Sequence, residues 1–452
     1  MNDQKIEQAL NALHFEEAEA LLQKQKDEKK DDNYWLMRSK AARGLYRLDE
    51  ALLYAQKAKD KVEIAKCLFA LGKVEEALHV LHSLKKNEGI KLVEASLLGE
   101  IGQVKKALML LESINPEQLK PSVRVEYETL YADLLSFQEK IEPAFQHYQN
   151  ALDFVSLCPA KNWKPLRRML IEHNMADVFE QIEEEKLAQL HYAKAKEQMV
   201  LQKQSDLLIS DLSSYEIELL LSSANCFGNM EDFDQAHQDL HQAYSLWLQK
   251  PPFQKKYFEA RIAYISGLIW MNEGKENEAI RAFEHAFSIQ QVLVKQGLDK
   301  EEHLARSAYY LASLLDDPKE KLALYAISEP IFEQRVEKEP SFYLSCLADI
   351  ENERGRLLDQ SESYKKAIEL YTQLLKKHPD DLLAKESRLI AMINLWQKGE
   401  KELEEAIQKE LGELYEWDED PYFLYSVCQY LEADGLPWIA EFQKKLKPVF
   451  DA

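Results

Sequence analysis

Apolar residues recur along this chain at spacings of three and four, which is the spacing of one face of an α-helix. No stretch shows the sustained two-residue alternation that is typical of a half-buried strand. Within this pattern an alanine returns again and again, and an apolar residue follows it four positions later in all copies but the last. The alanines are Ala18, Ala51, Ala77, Ala107, Ala144, Ala188, Ala236, Ala279, Ala323, Ala367 and Ala406. The pattern predicts an all-α chain built from repeated units.

A second small residue stands twelve positions before most of these alanines, as at Ser39, Ala132 and Gly267. Two small side chains at this separation allow two consecutive helices to cross in close contact. We therefore predict that each unit is a helix, a short turn and a second helix. Self-similarity at this period indicates a solenoid of stacked units.

In these positions the chain resembles the tetratricopeptide-repeat family. The best copy spans 348–381, where the family's positions are occupied in order by Gly355, Leu358, Tyr364, Ala367, Tyr371, Leu374 and Pro379. The resemblance covers nearly the whole chain. It implies a right-handed α-solenoid of about eleven antiparallel helix pairs. The shared apolar face of Trp438, Ile439, Phe442 and Leu446 predicts a C-terminal capping helix between Trp438 and Phe450.

The spacing between successive alanines divides the chain into blocks. The intervals are 33, 26, 30 and 37 residues as far as Ala144, and 44, 48, 43, 44, 44 and 39 residues beyond it. Pro116 and Pro121 interrupt helix close to the change of period. We predict short-period repeats in 1–122, longer-period repeats in 123–416 and a helical cap in 417–452.

Charge and hydropathy limit the possible partners. Lys and Arg number 57 against 79 Asp and Glu, a formal net charge of −22. Such an acidic chain is unsuited to general nucleic-acid binding, which depends on cationic side chains. No apolar run approaches the roughly 18 residues of a membrane span, and no signal peptide is visible. We expect a cytoplasmic protein without membrane insertion.

Two histidine pairs are the candidates for metal chemistry. His237 and His241 share one helix face, but Gln238 stands where a metalloprotease motif has glutamate. His79 and His82 have no cysteine or carboxylate at useful spacing. No phosphate-binding glycine loop or nucleophile elbow occurs either. We expect no metal site, no cofactor and no catalytic residues, so the chain is predicted not to be an enzyme.

The resemblance also implies where a partner would bind. In this family the first helix of each unit usually lines the concave groove of the superhelix. An asparagine amide both donates to and accepts from a peptide backbone, arginine holds carboxylates with two bonds, and aromatic rings add contact area. On this basis the predicted partner-binding residues are Asn174, Asn225, Arg261, Tyr264, Tyr309, Asn352 and Arg356.

The resulting hypothesis is a non-catalytic scaffold or adaptor that binds proteins or peptides in its groove. One alternative is a peptide-sensing regulatory solenoid that changes curvature when its ligand binds. A second is an enzyme whose site is a cluster of histidine and carboxylate residues brought together only by folding. The lysine–asparagine–arginine clamp with which some family members hold a C-terminal carboxylate is absent from matching positions.

Overall fold

The computed structural model describes residues 2–25, 30–158, 164–182, 184–205, 209–417, 421–432, 438–439 and 442. Over these ranges the chain forms 23 α-helices and no β-strand. None of the described helices combines the length and the apolar content that crossing a bilayer demands.

The first eighteen helices form consecutive pairs that each pack together. Their bounds are α1 Asn2–Asn11, α2 Phe15–Gln23, α3 Asp32–Gly44, α4 Leu48–Ala58, α5 Lys61–Ala70, α6 Val74–His82, α7 Glu88–Glu100, α8 Val104–Glu112, α9 Pro121–Ser136, α10 Ile141–Leu157, α11 Lys164–Gln181, α12 Glu185–Lys203, α13 Leu212–Asn229, α14 Phe233–Gln249, α15 Lys255–Asn272, α16 Glu276–Lys295, α17 Glu301–Leu314 and α18 Pro318–Arg335.

Two further pairs and one additional helix follow. Their bounds are α19 Pro340–Leu358, α20 Ser361–Lys377, α21 Leu382–Gln397, α22 Glu404–Trp417 and α23 Pro421–Glu432. The helices α1 to α22 therefore make eleven packed pairs, and the predicted all-α solenoid of about eleven pairs is confirmed.

The chain divides into two compact units, Met1–Glu339 and Pro340–Ala452. The first unit contains α1 to α18 and the second contains α19 to α23. This division rests on packing, whereas the blocks 1–122, 123–416 and 417–452 rest on repeat period, and those blocks stay a prediction.

Local sequence signals explain where many helices begin and end. Asp31, Asp60 and Asn87 each accept a hydrogen bond from the backbone N–H three residues later, at 2.8–2.9 Å. Such bonds satisfy donors that the first turn of a helix leaves unpaired. Gly72 and Gly274 have φ values of +75° and +74° in the tight turns inside their pairs, a conformation that a side chain would strain.

The repeated small residues lie at the helix crossings, as the sequence predicts. Ala236 and Ala279 are completely buried on the second helix of their pairs, and Ala132 is completely buried on a first helix. Gly267 is a close crossing, where a Cβ atom would lie only 2.7 Å from the ring of Phe283. These crossings leave no room for a larger side chain.

The predicted register is wrong in two units, because Ala323 and Ala406 are exposed. In α18 the buried apolar position is one residue later, at Leu324, and in α22 it is at Ile407. The larger apolar side chain next to each alanine takes the interface, so the alanine faces solvent.

Within the first unit the odd-numbered helices lie on the concave side. Odd-numbered helices of successive pairs contact each other, for example α1 with α3 and α13 with α15. Among the described residues no contact of comparable extent joins even-numbered helices of successive pairs. We call the odd-numbered helices α1 to α17 the inner helices and the even-numbered helices α2 to α18 the outer helices.

The first unit coils so tightly that successive turns of its spiral touch. The Phe15 N–H in the first pair donates to Ser210 Oγ at 2.9 Å, immediately before the seventh pair. Gly297, which precedes the ninth pair, packs against the turn of the third pair, and a Cβ atom there would lie 2.7 Å from the Leu71 carbonyl oxygen. One turn of the spiral therefore holds about six helix pairs.

Ion pairs join the same two turns farther along the unit. Lys300 Nζ donates to Glu100 Oε2 at 2.6 Å, and an Arg335 guanidinium nitrogen donates to the Glu100 carbonyl oxygen at 3.1 Å. Lys105 Nζ lies 3.2 Å from Glu337 Oε1. Although burial opposes its ionisation, Lys300 holds the pKa of Glu100 below its usual range.

The second unit has its own apolar cluster, formed by α21, α22 and α23. Trp396, Leu411 and Leu424 are among its buried members, and Ile439 and Phe442 pack against them. Those two residues, with Trp438, are the only part of the predicted capping helix at 438–450 that falls within the described residues.

We expect Ala236→Leu to lower the free energy of unfolding by about 1–3 kcal/mol, because the added atoms overpack a helix crossing. Urea denaturation followed by circular dichroism measures the change. The matched control is Ala323→Leu, the same substitution at an exposed position, which should stay within about 0.5 kcal/mol of the parent protein. Equal losses in the two variants would contradict the corrected register.

Candidate functional site

Polar side chains join neighbouring inner helices of the first unit. Asn174 Nδ2 on α11 donates to Asp133 Oδ1 on α9 at 3.0 Å. Asn225 Nδ2 on α13 donates to Glu180 Oε1 on α11 at 2.6 Å. Both predicted asparagines are thus on inner helices, and each amide donates to an acidic residue of the preceding unit.

Arg261 on α15 continues this series, because its guanidinium donates to Glu218 Oε1 on α13 at 2.7 Å. Burial raises the pKa of the Glu218 carboxyl, but the opposite charge of Arg261 outweighs burial and brings it below the usual value. Arg261 and Glu218 therefore neutralise each other on the inner face.

Asp133 lies in a different electrostatic environment. It accepts hydrogen bonds from the Tyr148 hydroxyl at 2.6 Å and from Asn174, both neutral donors. Desolvation is the main reason that its pKa rises to about 6, and the nearby charges of Glu100 and Asp177 add to the shift.

Glu180 is a second inner-face carboxyl group with a raised pKa. Desolvation, followed by the negative charge of Asp177, raises its pKa from 4.5 to about 7. The Tyr192 hydroxyl lies 2.6 Å from Asp177 Oδ1 and 2.9 Å from Glu180 Oε2. Asn225 and Asn229 donate to its other oxygen.

Asp133, Asp177 and Glu180 form what we call the acidic triad. Within the described ranges no lysine or arginine lies at ion-pair distance from any of the three carboxylates. His173 Nε2 is 3.5 Å from Asp177 Oδ1 but makes no hydrogen bond, although only 8% of its side chain is exposed. The acidic triad thus lies on the concave side and accepts its hydrogen bonds from neutral donors.

Tyr264 and Tyr309 are also on inner helices, but both are engaged in aromatic packing. Tyr264 is 7% exposed, and its ring lies 5.9 Å from that of Phe283. The Tyr309 ring lies 5.8 Å from Phe332. Tyr264 therefore has little surface to offer a partner, because the inner helix is buried here on more sides than the repeat pattern indicates.

The remaining two predicted residues belong to the second unit. Arg356 on α19 is exposed and binds Glu353 one helical turn away through two hydrogen bonds of 2.6 and 2.7 Å. The Asn352 amide oxygen is buried and makes no hydrogen bond. The structure thus brings Asn174, Asn225 and Arg261 onto one face of the first unit. Asn352 and Arg356 lie in the second unit.

The acidic triad is not among the residues predicted from the repeat pattern, although the sequence carries a signal for part of it. Asp133, Asp177 and Asn225 each directly follow the buried small residue of an inner helix, at Ala132, Ala176 and Ala224. The position after that residue therefore lies on the inner face of α9, α11 and α13. Glu180 lacks such a marker.

The histidine pairs make contacts with carboxylates of other helices. His237 Nε2 lies 3.0 Å from Glu273 Oε2, and His82 Nε2 lies 3.0 Å from Glu94 Oε1. Among the residues that the structure describes, no three or more histidine, cysteine, aspartate or glutamate side chains are grouped so as to hold a metal ion.

Comparisons with known proteins bear on the fold. No protein-family model matches the sequence, and no curated protein matches it. Among solved structures, a Rap protein complexed with competence and sporulation factor superposes with a TM-score of 0.52 at 15% identity, covering 86% of this chain and 98% of that one.

Two other solved structures match at lower similarity. Yeast Tom70 has a TM-score of 0.36 and 14% identity, covering 98% of this chain and 96% of that one. BtubC from P. vanneervenii has a TM-score of 0.35 and 15% identity, covering 57% of this chain and 93% of that one. At the level of fold, the resemblance to the tetratricopeptide-repeat family is confirmed by the paired helices and by the likeness to the Rap structure.

The raised pKa of Glu180 predicts a dependence of stability on pH. Because the folded chain holds this proton more tightly than the unfolded chain, stability falls as pH rises from about 4.5 to about 7. Glu180→Gln removes the ionisation, so it should gain about 2 kcal/mol relative to the parent protein between pH 4.5 and pH 7.5. Urea denaturation at the two pH values measures this gain.

Glu197→Gln is the matched control, because Glu197 is exposed on the adjacent helix α12. Its stability relative to the parent protein should be the same at both pH values. A gain of equal size in the two variants would contradict the assignment to Glu180.

Proposed function

We propose that the chain is a non-catalytic scaffold that binds a protein or peptide on the inner helices of its first unit, and that the bound segment carries a cationic side chain. The acidic triad is the observation that carries this proposal. A guanidinium or ammonium group placed there would form charge-assisted hydrogen bonds with carboxylates whose present donors are neutral.

The energetics favour such a ligand. Asp133 and Glu180 have pKa values of about 6 and about 7, because burial disfavours their ionised forms and the negative charge of Asp177 lies near both. A bound cation would relieve this repulsion and return both groups to the ionised form. Asn174 and Asn225 lie beside the triad and supply amides that a peptide backbone can share.

Two further observations support a binding protein. The Rap structure of similar fold is described as complexed with competence and sporulation factor, so a solenoid of this kind can hold another molecule. The five cysteines, Cys67, Cys158, Cys226, Cys346 and Cys428, are buried and unbonded to one another. Buried thiols that form no disulfide suit a reducing compartment, which supports the cytoplasm as our proposed location.

Selection from a peptide library tests the proposal. The immobilised protein is exposed to a hexapeptide library that contains arginine and to the same library with neutral citrulline in place of arginine. We expect retention from the arginine library only, with affinity lowered about tenfold or more in the double variant Asp177→Asn/Glu180→Gln. Titration calorimetry on a selected peptide measures the affinity.

The variant Glu197→Gln removes one carboxylate from the exposed side of α12 and should bind as the parent protein does. Equal retention from the two libraries would remove the cationic anchor from the proposal. Failure to retain any peptide from either library would count against a peptide ligand altogether.

The regulatory alternative, in which a ligand changes the curvature of the solenoid, has one observation in its favour. The two turns of the first unit meet through contacts between helix ends and loops, such as Phe15 with Ser210 and Lys300 with Glu100. A small change of angle at each helix pair would break these contacts, since each pair packs mainly against its neighbours.

Small-angle X-ray scattering separates the two candidates. A scaffold with a preformed inner face should keep its radius of gyration when a selected peptide binds. A curvature sensor should change it, and the variant Glu100→Gln/Lys300→Gln, which lacks one ionic contact between turns, should change it at lower peptide concentration. An unchanged radius in both proteins would contradict the sensor.

A further inference from the structure

A cavity lies on the outer side of the first unit, away from the acidic triad. It is a cleft of about 600 Å³ between the outer helices α14 and α16, and the inner helix α15 forms its floor. Ile262, Ala263 and Ser266 of α15 are among its buried lining residues. Arg261 binds Glu218 on the concave side, so α15 separates the cleft from the inner face.

Aromatic rings make up much of the wall. Tyr244 and Trp247 stack with centroids 5.5 Å apart and planes inclined by 26°, and Trp270 joins them in the lining. Tyr244 is 45% exposed, so its ring is available from solvent. Clefts of this size, with an apolar and aromatic lining and a few polar groups at the edge, typically bind small ligands.

Three imidazoles stand around the cleft: His237, His241 and His285. Two of them contact carboxylates, because His237 lies 3.0 Å from Glu273 and His285 lies 3.3 Å from Glu259. His241, which is exposed, has no such contact in the part of the chain that the structure describes.

The two carboxylates near the cleft are already balanced by lysines. Glu259 Oε2 lies 2.8 Å from Lys256 Nζ, and Glu273 Oε1 lies 2.5 Å from Lys275 Nζ. One more cation, Lys255, stands with its ammonium 4.9 Å from the Trp247 ring centre. These groups are three lysines against two carboxylates, which leaves an excess of one positive charge beside the cleft in a chain whose net charge is −22.

We propose that this cleft binds a small aromatic molecule that carries an anionic group. The ring of the ligand stacks on Tyr244 and Trp270, and its anion accepts a hydrogen bond from His241, which offers an N–H donor in either tautomer. Lys255 adds long-range attraction at the edge. The site is separate from the proposed peptide-binding face, and either can exist without the other.

The cleft suggests a role for the histidine pair His237 and His241, to which the sequence alone assigns none. His237 and His241 share one face of α14 because they are four residues apart, and α16 adds His285 from a distant part of the chain. Among the described residues these side chains do not form a metal-binding group. They supply donors beside an aromatic wall instead.

Three indoles that differ in charge test the proposal. Indole-3-acetate is anionic, indole is neutral and tryptamine is cationic at neutral pH, while the ring is the same. By titration calorimetry we expect indole-3-acetate to bind most tightly, about tenfold more tightly than tryptamine, because one charge-assisted contact is gained. Equal binding of the three, binding best for tryptamine, or no binding of indole-3-acetate would overturn the proposal.

Point variants locate the site. His241→Ala should reduce the preference for indole-3-acetate over indole, and Tyr244→Ala should weaken both ligands; both replaced side chains are exposed, so the fold is retained. Gln242→Ala, at an exposed neighbour outside the lining, should leave binding unchanged. Glu180→Gln should also leave it unchanged, which distinguishes this site from the inner face.

Two further outcomes would contradict the proposed small-ligand site. Unaltered binding in both His241→Ala and Tyr244→Ala would show that the indole lies outside the cleft. Binding of an acidic peptide such as acetyl-Glu-Trp-Glu, with none of free indole-3-acetate, would assign the cleft to a protein partner and overturn the small-ligand proposal.

Discussion

Close contact between two helices at a small side chain is the constraint on which the structure depends. Gly267 illustrates it, because the Phe283 ring occupies the space that a Cβ atom would need. Where such a contact recurs, each pair has nearly the same internal geometry, and each pair then packs against the next in nearly the same way. A repeated contact of this kind produces a curved stack through contacts between neighbouring pairs alone.

The curvature has an electrostatic consequence. Inner helices lie close together, so polar side chains on them meet across successive pairs. Glu218 meets Arg261 and is neutralised, whereas Asp133 and Glu180 meet tyrosine hydroxyls and asparagine amides only. Carboxyl groups are thereby brought together beside neutral donors, and the raised pKa values of Asp133 and Glu180 record that arrangement.

Much of the fold could be predicted from spacing alone, because a buried alanine is required at nearly every crossing. The predicted register was wrong at Ala323 and Ala406. The next residue, Leu324 and Ile407 respectively, takes the buried position there, and the alanine makes no helix crossing. The inner-face position of Asn174, Asn225 and Arg261 followed from the repeat phase. Their acidic partners did not, because those contacts join residues more than forty positions apart.

Contacts between the turns of the first unit change how such a stack should lose its structure. In an open solenoid each unit touches only its neighbours, and melting can begin at either end. Here Phe15 is bonded to Ser210, about two hundred residues away, and Glu100 to Lys300. Fraying of the first pair therefore costs contacts with the seventh, so this unit should behave as one cooperative block despite its repetitive sequence.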